Sequence, residues 1–206
     1  MKSYPVTETF FSVQGEGLHL GRRAYFVRLF GCNVKCAWCD SRNAWNGTPA
    51  CVMSAEEIAC EAKKSGAEFA VITGGEPCIH NLSPLTACLA AAGVAVHLET
   101  SGTVRIDESP DAPFGWIAMS PKLFAPPLEA SLARADELKY IVSDLDELDL
   151  YSQFSDSAKN AKAIWLHPEW SRRADRQLIN GLCEFVKSRG GKYRVGWQMH
   201  KCYFVR

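Results

Sequence analysis

Gly31-Cys32-Asn33-Val34-Lys35-Cys36-Ala37-Trp38-Cys39-Asp40-Ser41, directly after Ala24–Phe30 (AYFVRLF), is the stretch on which the reading of this chain turns. The seven residues AYFVRLF are apolar, β-branched or aromatic and read as a buried strand. The loop after it carries three cysteines within eight residues. Thiolates are the soft ligands chosen by iron–sulfur clusters, zinc and copper. The next cysteine, Cys51, lies beyond Asn46-Gly47-Thr48-Pro49. Three thiolates on a four-iron cube leave one iron open, and an open coordination position is what a catalytic metal site keeps. The ferredoxin run C-x₂-C-x₂-C-x₃-C-P does not fit. A structural zinc site with Cys51 as a fourth ligand stays open as an alternative.

Outward from that loop, strand patterns recur at Phe69–Thr73, Ala95–Thr100, Trp116–Ser120, Leu138–Val142, Ala163–His167 and Tyr193–Trp197. Helical patterns separate many of them. Ser54-Ala-Glu-Glu57 is a capping box opening a helix to Ser65, with Gly66 as its stop. Further helices are expected at Ser83–Ala92, Leu145–Phe154 and Arg176–Arg189, the last stopped by Gly190-Gly191. Alternating strands and helices predict an α/β fold with a parallel sheet. A closed eight-stranded barrel takes ~250 residues. With 206 residues and about six βα-type strands, an incomplete, open β/α barrel in a single domain, 1–206, is expected. In such folds chemistry gathers in the loops after the strands. Gly31–Ser41, Gly74–Pro77, Ser101-Gly102 and Ser120-Pro-Lys122 all fall there.

The C-x₃-C-x₂-C spacing of Cys32, Cys36 and Cys39, with Trp38 before the third cysteine, resembles the signature of the radical SAM superfamily. Gly74-Gly75-Glu76-Pro77 resembles its second motif, where the amino group of S-adenosylmethionine (SAM) is held, although Gly-Gly by itself is a common turn. The resemblance implies a 4Fe-4S cluster on the three cysteines, SAM chelating the open iron, and reductive cleavage that yields a 5′-deoxyadenosyl radical. It further implies SAM contacts from Trp38, Cys39, Asp40, Gly75, Ser120, Pro121 and Lys122, with Glu99 and Ser101 on the same side. His167-Pro-Glu-Trp170 stands where the family often has Gln-Pro and a serine near the adenine, and departs from that pattern.

A finer set narrows the resemblance. Val13-Gln-Gly-Glu-Gly17, Cys39-Asp-Ser41, Glu99-Thr-Ser-Gly-Thr103 and Gln198-Met-His-Lys201, in that order, closely resemble the 7-carboxy-7-deazaguanine synthase family, from about Glu8 to the C-terminus. That implies 6-carboxy-tetrahydropterin as substrate, a radical ring contraction with loss of ammonia, Mg²⁺ as an additional ion, and a homodimer served by an electron donor such as flavodoxin or ferredoxin. Substrate contacts are then expected from Val13, Gln14, Gly15, Glu16, Arg28, Thr73, His200 and Arg206, and a Mg²⁺ contact from Ser41. Physically, Arg28 can pair bidentately with a pterin carboxylate. Gln14 and Glu16 can read an aminopyrimidinone edge. Ser41 offers the hard oxygen that Mg²⁺ prefers. Plainer roles stand beside these: a surface salt bridge for Arg28, a solvated turn for Gln14 and Glu16, a loop cap for Ser41. An activating enzyme that makes a glycyl radical on a partner protein, and a non-catalytic iron–sulfur or zinc module, are the competing readings.

Composition bounds the rest. Formal net charge is zero, with 47% apolar and 22% charged residues, so no global field draws the chain to nucleic acid or an anionic membrane. No apolar run is long enough for a bilayer span or an export signal, and the cytoplasm is the expected compartment. The number of cysteines is nine, an odd count, which favours metal binding over a disulfide framework. Cys51, Cys60, Cys78, Cys88 and Cys183 read as small core residues. His19, His80 and His97 have no ligand-like spacing. After Glu184 the charged residues are all basic, which charge alone reads as a solvated face.

Overall fold

The computed structural model describes residues 2–205. Its strands are β1 (Ser3–Val13), β2 (Arg23–Leu29), β3 (Cys51–Ser54), β4 (Phe69–Gly74), β5 (Ala95–Thr100), β6 (Trp116–Met119), β7 (Glu137–Val142), β8 (Ala163–Pro168) and β9 (Tyr193–Val195). Its helices are α1 (Ala55–Ser65), α2 (Ser83–Ala91), α3 (Glu129–Leu132), α4 (Glu147–Ser157), α5 (Arg176–Arg189) and α6 (Met199–Tyr203). All strands join one sheet in the order β3-β1-β2-β4-β5-β6-β7-β8-β9. From β2 through β9 every neighbouring pair is parallel, making seven parallel strands. The sheet is an open α/β barrel whose seven parallel strands fall on the seven strand patterns of the sequence. Two antiparallel strands, β1 and β3, extend its leading edge.

Alternation along each strand separates two faces. Tyr25, Val27 and Leu29 of β2 and Ala70 and Ile72 of β4 enter the main core, together with Ile58, Leu85, Leu89, Leu148 and Leu182 of the helices. Ala24, Phe26, Phe69 and Val71 form a separate apolar cluster on the opposite, concave face, joined by Phe10 of β1. The same alternation, carried one step further, puts Arg28 and Thr73 on that concave face as register partners. Below them, His97 stacks on Phe69 at 3.9 Å between ring centroids, and His19 lies 4.6 Å from both His97 and Trp116. The turn Gly17–His19 is pinned there by the Leu18 amide, which donates to Glu137 Oε2 at 2.9 Å. Aromatic and histidine rings thus pack the amino-terminal end of the concave face, and polar groups occupy the carboxyl-terminal end.

The capping box forms in both directions. The Glu57 amide donates to Ser54 Oγ at 3.2 Å and the Ser54 amide to Glu57 Oε2 at 2.7 Å, a feature typically worth about 1 kcal/mol. Gly66 ends α1 in the left-handed conformation. α5 has the bounds its pattern predicts, and α4 begins two residues later than expected. The expectation for the remaining cysteines needs correction. Among them only Cys78 is buried, whereas Cys51 and Cys60 are exposed and Cys88 and Cys183 lie partly open. The basic run is largely a solvated face: Lys187 pairs with Glu184 and Arg189 with Asp149 on the surface.

Candidate active site

A cavity of about 500 Å³ opens at the carboxyl ends of the parallel strands. Its wall includes Cys32, Cys36 and Cys39, and with them Trp38, Asp40 and Ser41 of the same loop. Gly75, Ser120 and Lys122 line it from the loops after β4 and β6. Val13, Gln14, Gly15, Glu16, Arg28, Thr73 and His200 complete the expected set. Glu99 and Ser101 line it too. Pro121 is buried but does not face the cavity. Arg206 lies outside the described residues.

The cysteine loop is shaped around sulfur. The Val34 and Lys35 amides both approach Cys32 Sγ, at 3.4 and 3.5 Å, with Lys35 in a left-handed conformation at φ 53°. Trp45 Nε1–H donates to Cys39 Sγ at 3.4 Å. Burial pushes the Cys36 thiol up, while Lys122 opposes the shift. Among the described residues no three His, Cys, Asp or Glu side chains are gathered about one point. Three thiolates of one short loop on one cavity wall are the soft donor set that an iron–sulfur cluster takes.

Gly75 holds the loop against the sheet. A Cβ there would lie 2.3 Å from the Gly31 carbonyl and 2.6 Å from Cys32 Cβ. The Glu76 amide donates to that same carbonyl at 2.9 Å. Glu76 itself is 1% exposed and accepts from Thr100 Oγ1 at 2.7 Å and from the Ser101 amide at 2.7 Å. The Gly-Gly-Glu-Pro turn is thereby fixed to β5 as well as to the cysteine loop. On the other side, Lys122 Nζ donates to Ser120 Oγ at 2.7 Å, and burial lowers its pKa. Phe124 places its ring against Trp38 at 5.5 Å. This polar notch, with a small residue at Gly75 and donors beyond it, is suited to an amino-acid-like group.

The opposite wall is a hydrogen-bonded set of charged and polar side chains. Arg28 Nε donates to Glu8 Oε1 at 2.8 Å, which fixes the guanidinium near the mouth. Thr73 Oγ1 and Gln14 Nε2 donate to the two oxygens of Glu99, at 3.1 and 3.2 Å. Lys139, in the middle of β7, donates to Glu16 Oε2 at 2.9 Å and stands 3.6 Å from Glu99 Oε1. Burial works against ionisation of Glu16, yet the Lys139 ammonium outweighs it and holds the carboxyl well below the usual range. Exposed ion pairs contribute about 0–1 kcal/mol. Removing one partner of a buried pair costs about 3–5 kcal/mol. The Glu16–Lys139 pair belongs to the second kind.

The C-terminal segment closes this half. The Met199 amide donates to the Gly15 carbonyl at 3.0 Å, and a Cβ on Gly15 would lie 2.4 Å from His200 Nδ1. Gln198 Nε2 donates to Glu16 Oε1 at 3.0 Å and Lys201 Nζ to Asp40 Oδ2 at 2.6 Å. The loop after β1 and the cysteine loop are therefore both tied to α6. Ser41 Oγ donates to Asp40 Oδ1 at 3.1 Å and remains on the cavity wall.

Lys139, Glu8 and Trp45 line the cavity without having been singled out from sequence. Lys139 did leave a signal, a lysine inside the apolar run LKYIV. His167 turns away from the cavity and is buried, with both ring nitrogens lacking a hydrogen-bond partner. Trp170, three residues on, faces the cavity with Lys201 Nζ 4.8 Å above its ring.

No protein-family model matches the chain. It is 35% identical over 204 residues to the 7-carboxy-7-deazaguanine synthase of Synechocystis, covering 99% of this chain and 94% of that one. It is 37% identical over 226 residues to the enzyme of the same name from Escherichia coli K12, covering 96% and 97%. Superposed on the crystal structure of QueE from Escherichia coli it gives a TM-score of 0.80 at 32% identity, covering 96% and 95%.

Proposed function

The chain belongs to the 7-carboxy-7-deazaguanine synthase family, and from that premise we propose how its cavity divides the labour. It is a radical SAM enzyme, a carbon–nitrogen lyase of queuosine and deazapurine biosynthesis, which converts 6-carboxy-5,6,7,8-tetrahydropterin to 7-carboxy-7-deazaguanine with loss of ammonia. Neither the glycyl-radical activating reading nor the non-catalytic module is favoured by these relatives.

In this reading Cys32, Cys36 and Cys39 would hold the 4Fe-4S cluster. Trp38, Asp40, Gly75, Ser120 and Lys122 would hold SAM. When bound, these groups supply one-electron chemistry that protein side chains lack. Arg28, already oriented by Glu8, pairs with the pterin carboxylate. Gln14 and Glu16 read the aminopyrimidinone edge, with Thr73 and His200 beside it. Ser41 would offer Mg²⁺ a hydroxyl oxygen on the cavity wall. Helix α6 covers the pterin half and excludes solvent. The observation that carries this reading is the convergence of the cysteine loop, the Gly74-Gly75 turn and the Gln14–Glu16 loop on one cavity.

A homodimer, a flavodoxin or ferredoxin as electron donor, a single radical SAM domain and a cytoplasmic location extend the proposal. Among the described residues no helix is long and apolar enough to cross a membrane. Anaerobic reconstitution with iron and sulfide, followed by turnover with SAM, dithionite, Mg²⁺ and 6-carboxy-tetrahydropterin, tests the assignment. The expected product absorbs as a deazaguanine. A reconstituted cluster that yields none rejects it.

A further inference from the structure

Three charges meet on one side of the cavity from elements far apart in the chain: the partly buried Glu16 after β1 and Glu99 on β5, and the buried Lys139 on β7. Two carboxylates against one ammonium leave the trio one negative charge in excess. An excess charge drawn partly out of water is costly unless hydrogen-bonded. Part of that demand is met within the protein. Glu99 accepts from Thr73 Oγ1 at 3.1 Å and Gln14 Nε2 at 3.2 Å, and Glu16 Oε1 accepts from Gln198 Nε2 at 3.0 Å. Each carboxylate oxygen has a second lone pair. What the site still favours is a ligand edge rich in N–H donors, and the aminopyrimidinone edge of a pterin is one.

Resting on the synthase reading, we propose that Lys139 is the positioning residue for pterin recognition. Its ammonium fixes Glu16 and Glu99 in place as charged acceptors for that edge. Through Glu99 it also orients Gln14 and Thr73, so one lysine organises four side chains of the substrate wall. A role as the acid that releases ammonia does not fit. Flanked by Glu16 at 2.9 Å and Glu99 at 3.6 Å, with Glu137 two residues away on its own strand, Lys139 is a held cation and a poor proton donor.

The test uses reconstituted holoenzyme and measures KM separately for 6-carboxy-tetrahydropterin and for SAM. Lys139→Met removes the charge and the donor. It is expected to raise the pterin KM about 10-fold or more, the scale of lost charge-assisted hydrogen bonds, with a much smaller rise for SAM. The Kd for 7-carboxy-7-deazaguanine, read by tryptophan fluorescence, should rise in parallel. Lys139→Arg keeps the charge and should recover most of the loss, while Lys139→Gln, which keeps only a donor, should fall between. If Lys139→Met does not fold, the Gln and Arg variants carry the comparison. A wild-type pterin KM in the Met or Gln variant, or an equal rise in both KM values, overturns the role of Lys139. Absence of pterin turnover by the wild type overturns the synthase reading instead, and this proposal with it.

Discussion

Lys201 Nζ lies 2.6 Å from Asp40 Oδ2, joining the last helix to the loop that carries the cysteines across 161 positions of sequence. Gln198 reinforces the joint by donating to Asp40 at 3.3 Å and to Glu16 at 3.0 Å. The pair is partly solvated, so its contribution to global stability should be small, about 0–1 kcal/mol. Its effect should instead appear in how well α6 covers the substrate. Lys201→Ala is expected to raise the pterin KM several-fold while shifting the melting temperature by only about 2–4 °C. Steady-state kinetics and calorimetry on the same preparation check this. A large loss of stability with an unchanged KM would show the contact to be structural alone.

Gly75 sits where a side chain would strike backbone. Its Cβ would stand 2.3 Å from the Gly31 carbonyl, and a carbonyl at the base of the cysteine loop has little room to yield. Gly75→Ala should therefore displace that loop from the end of β4. Iron content and charge-transfer absorbance after reconstitution should fall at least several-fold, with a destabilisation on the order of 1–3 kcal/mol from overpacking. Full iron loading in the variant would refute the account.

Most of the parallel sheet was legible because strands buried on both faces read as continuous apolar runs. AYFVRLF and FAVIT left little choice. α1 was legible from its capping box and α5 from its periodicity. Strands β1 and β3 were not. β1 pairs antiparallel across a long loop, and Pro5 with Thr7-Glu8-Thr9 dilutes its pattern. β3 is only four residues at the sheet edge. The motif residues of the candidate site could be named from spacing and resemblance, but their supports could not. Glu8 behind Arg28, Trp45 behind Cys39 and Lys201 against Asp40 are contacts made by the fold, and no local pattern encodes them. Lys139 lay between these cases. A lysine in the middle of an apolar strand marks a buried charge without naming its partner.

Ser41 is the one hydroxyl on the cysteine loop, and it faces the cavity beside the Asp40 carboxylate. A hard ion held by one hydroxyl, a substrate carboxylate and water is held weakly by the protein alone. Ser41→Ala should therefore raise the Mg²⁺ concentration for half-maximal activity about 10-fold, while iron per chain stays at the wild-type value. Activity across a Mg²⁺ titration, with iron assayed in the same samples, separates the two. Coincident titration curves would remove Ser41 as a ligand.

The rings packed beneath the cavity carry a pH signature. His97 stacks on Phe69 and abuts His19, and burial, with His19 and Arg22 nearby, lowers its pKa from 6.5 to about 3. The folded state then binds fewer protons than the unfolded state between those values. His97 accordingly costs the fold nothing above about pH 6.5 and destabilises it progressively as pH falls toward 3, by at most about 1.4 kcal/mol per unit. His167, lowered to about 4 by burial, acts in the same direction. His97→Phe keeps an aromatic ring against Phe69 and cannot take a proton. Its urea midpoint should match the wild type within error near pH 7.5 and exceed it at pH 5.5. Parallel midpoints at both pH values would mean that His97 gains a proton as readily in the folded chain as in the unfolded one.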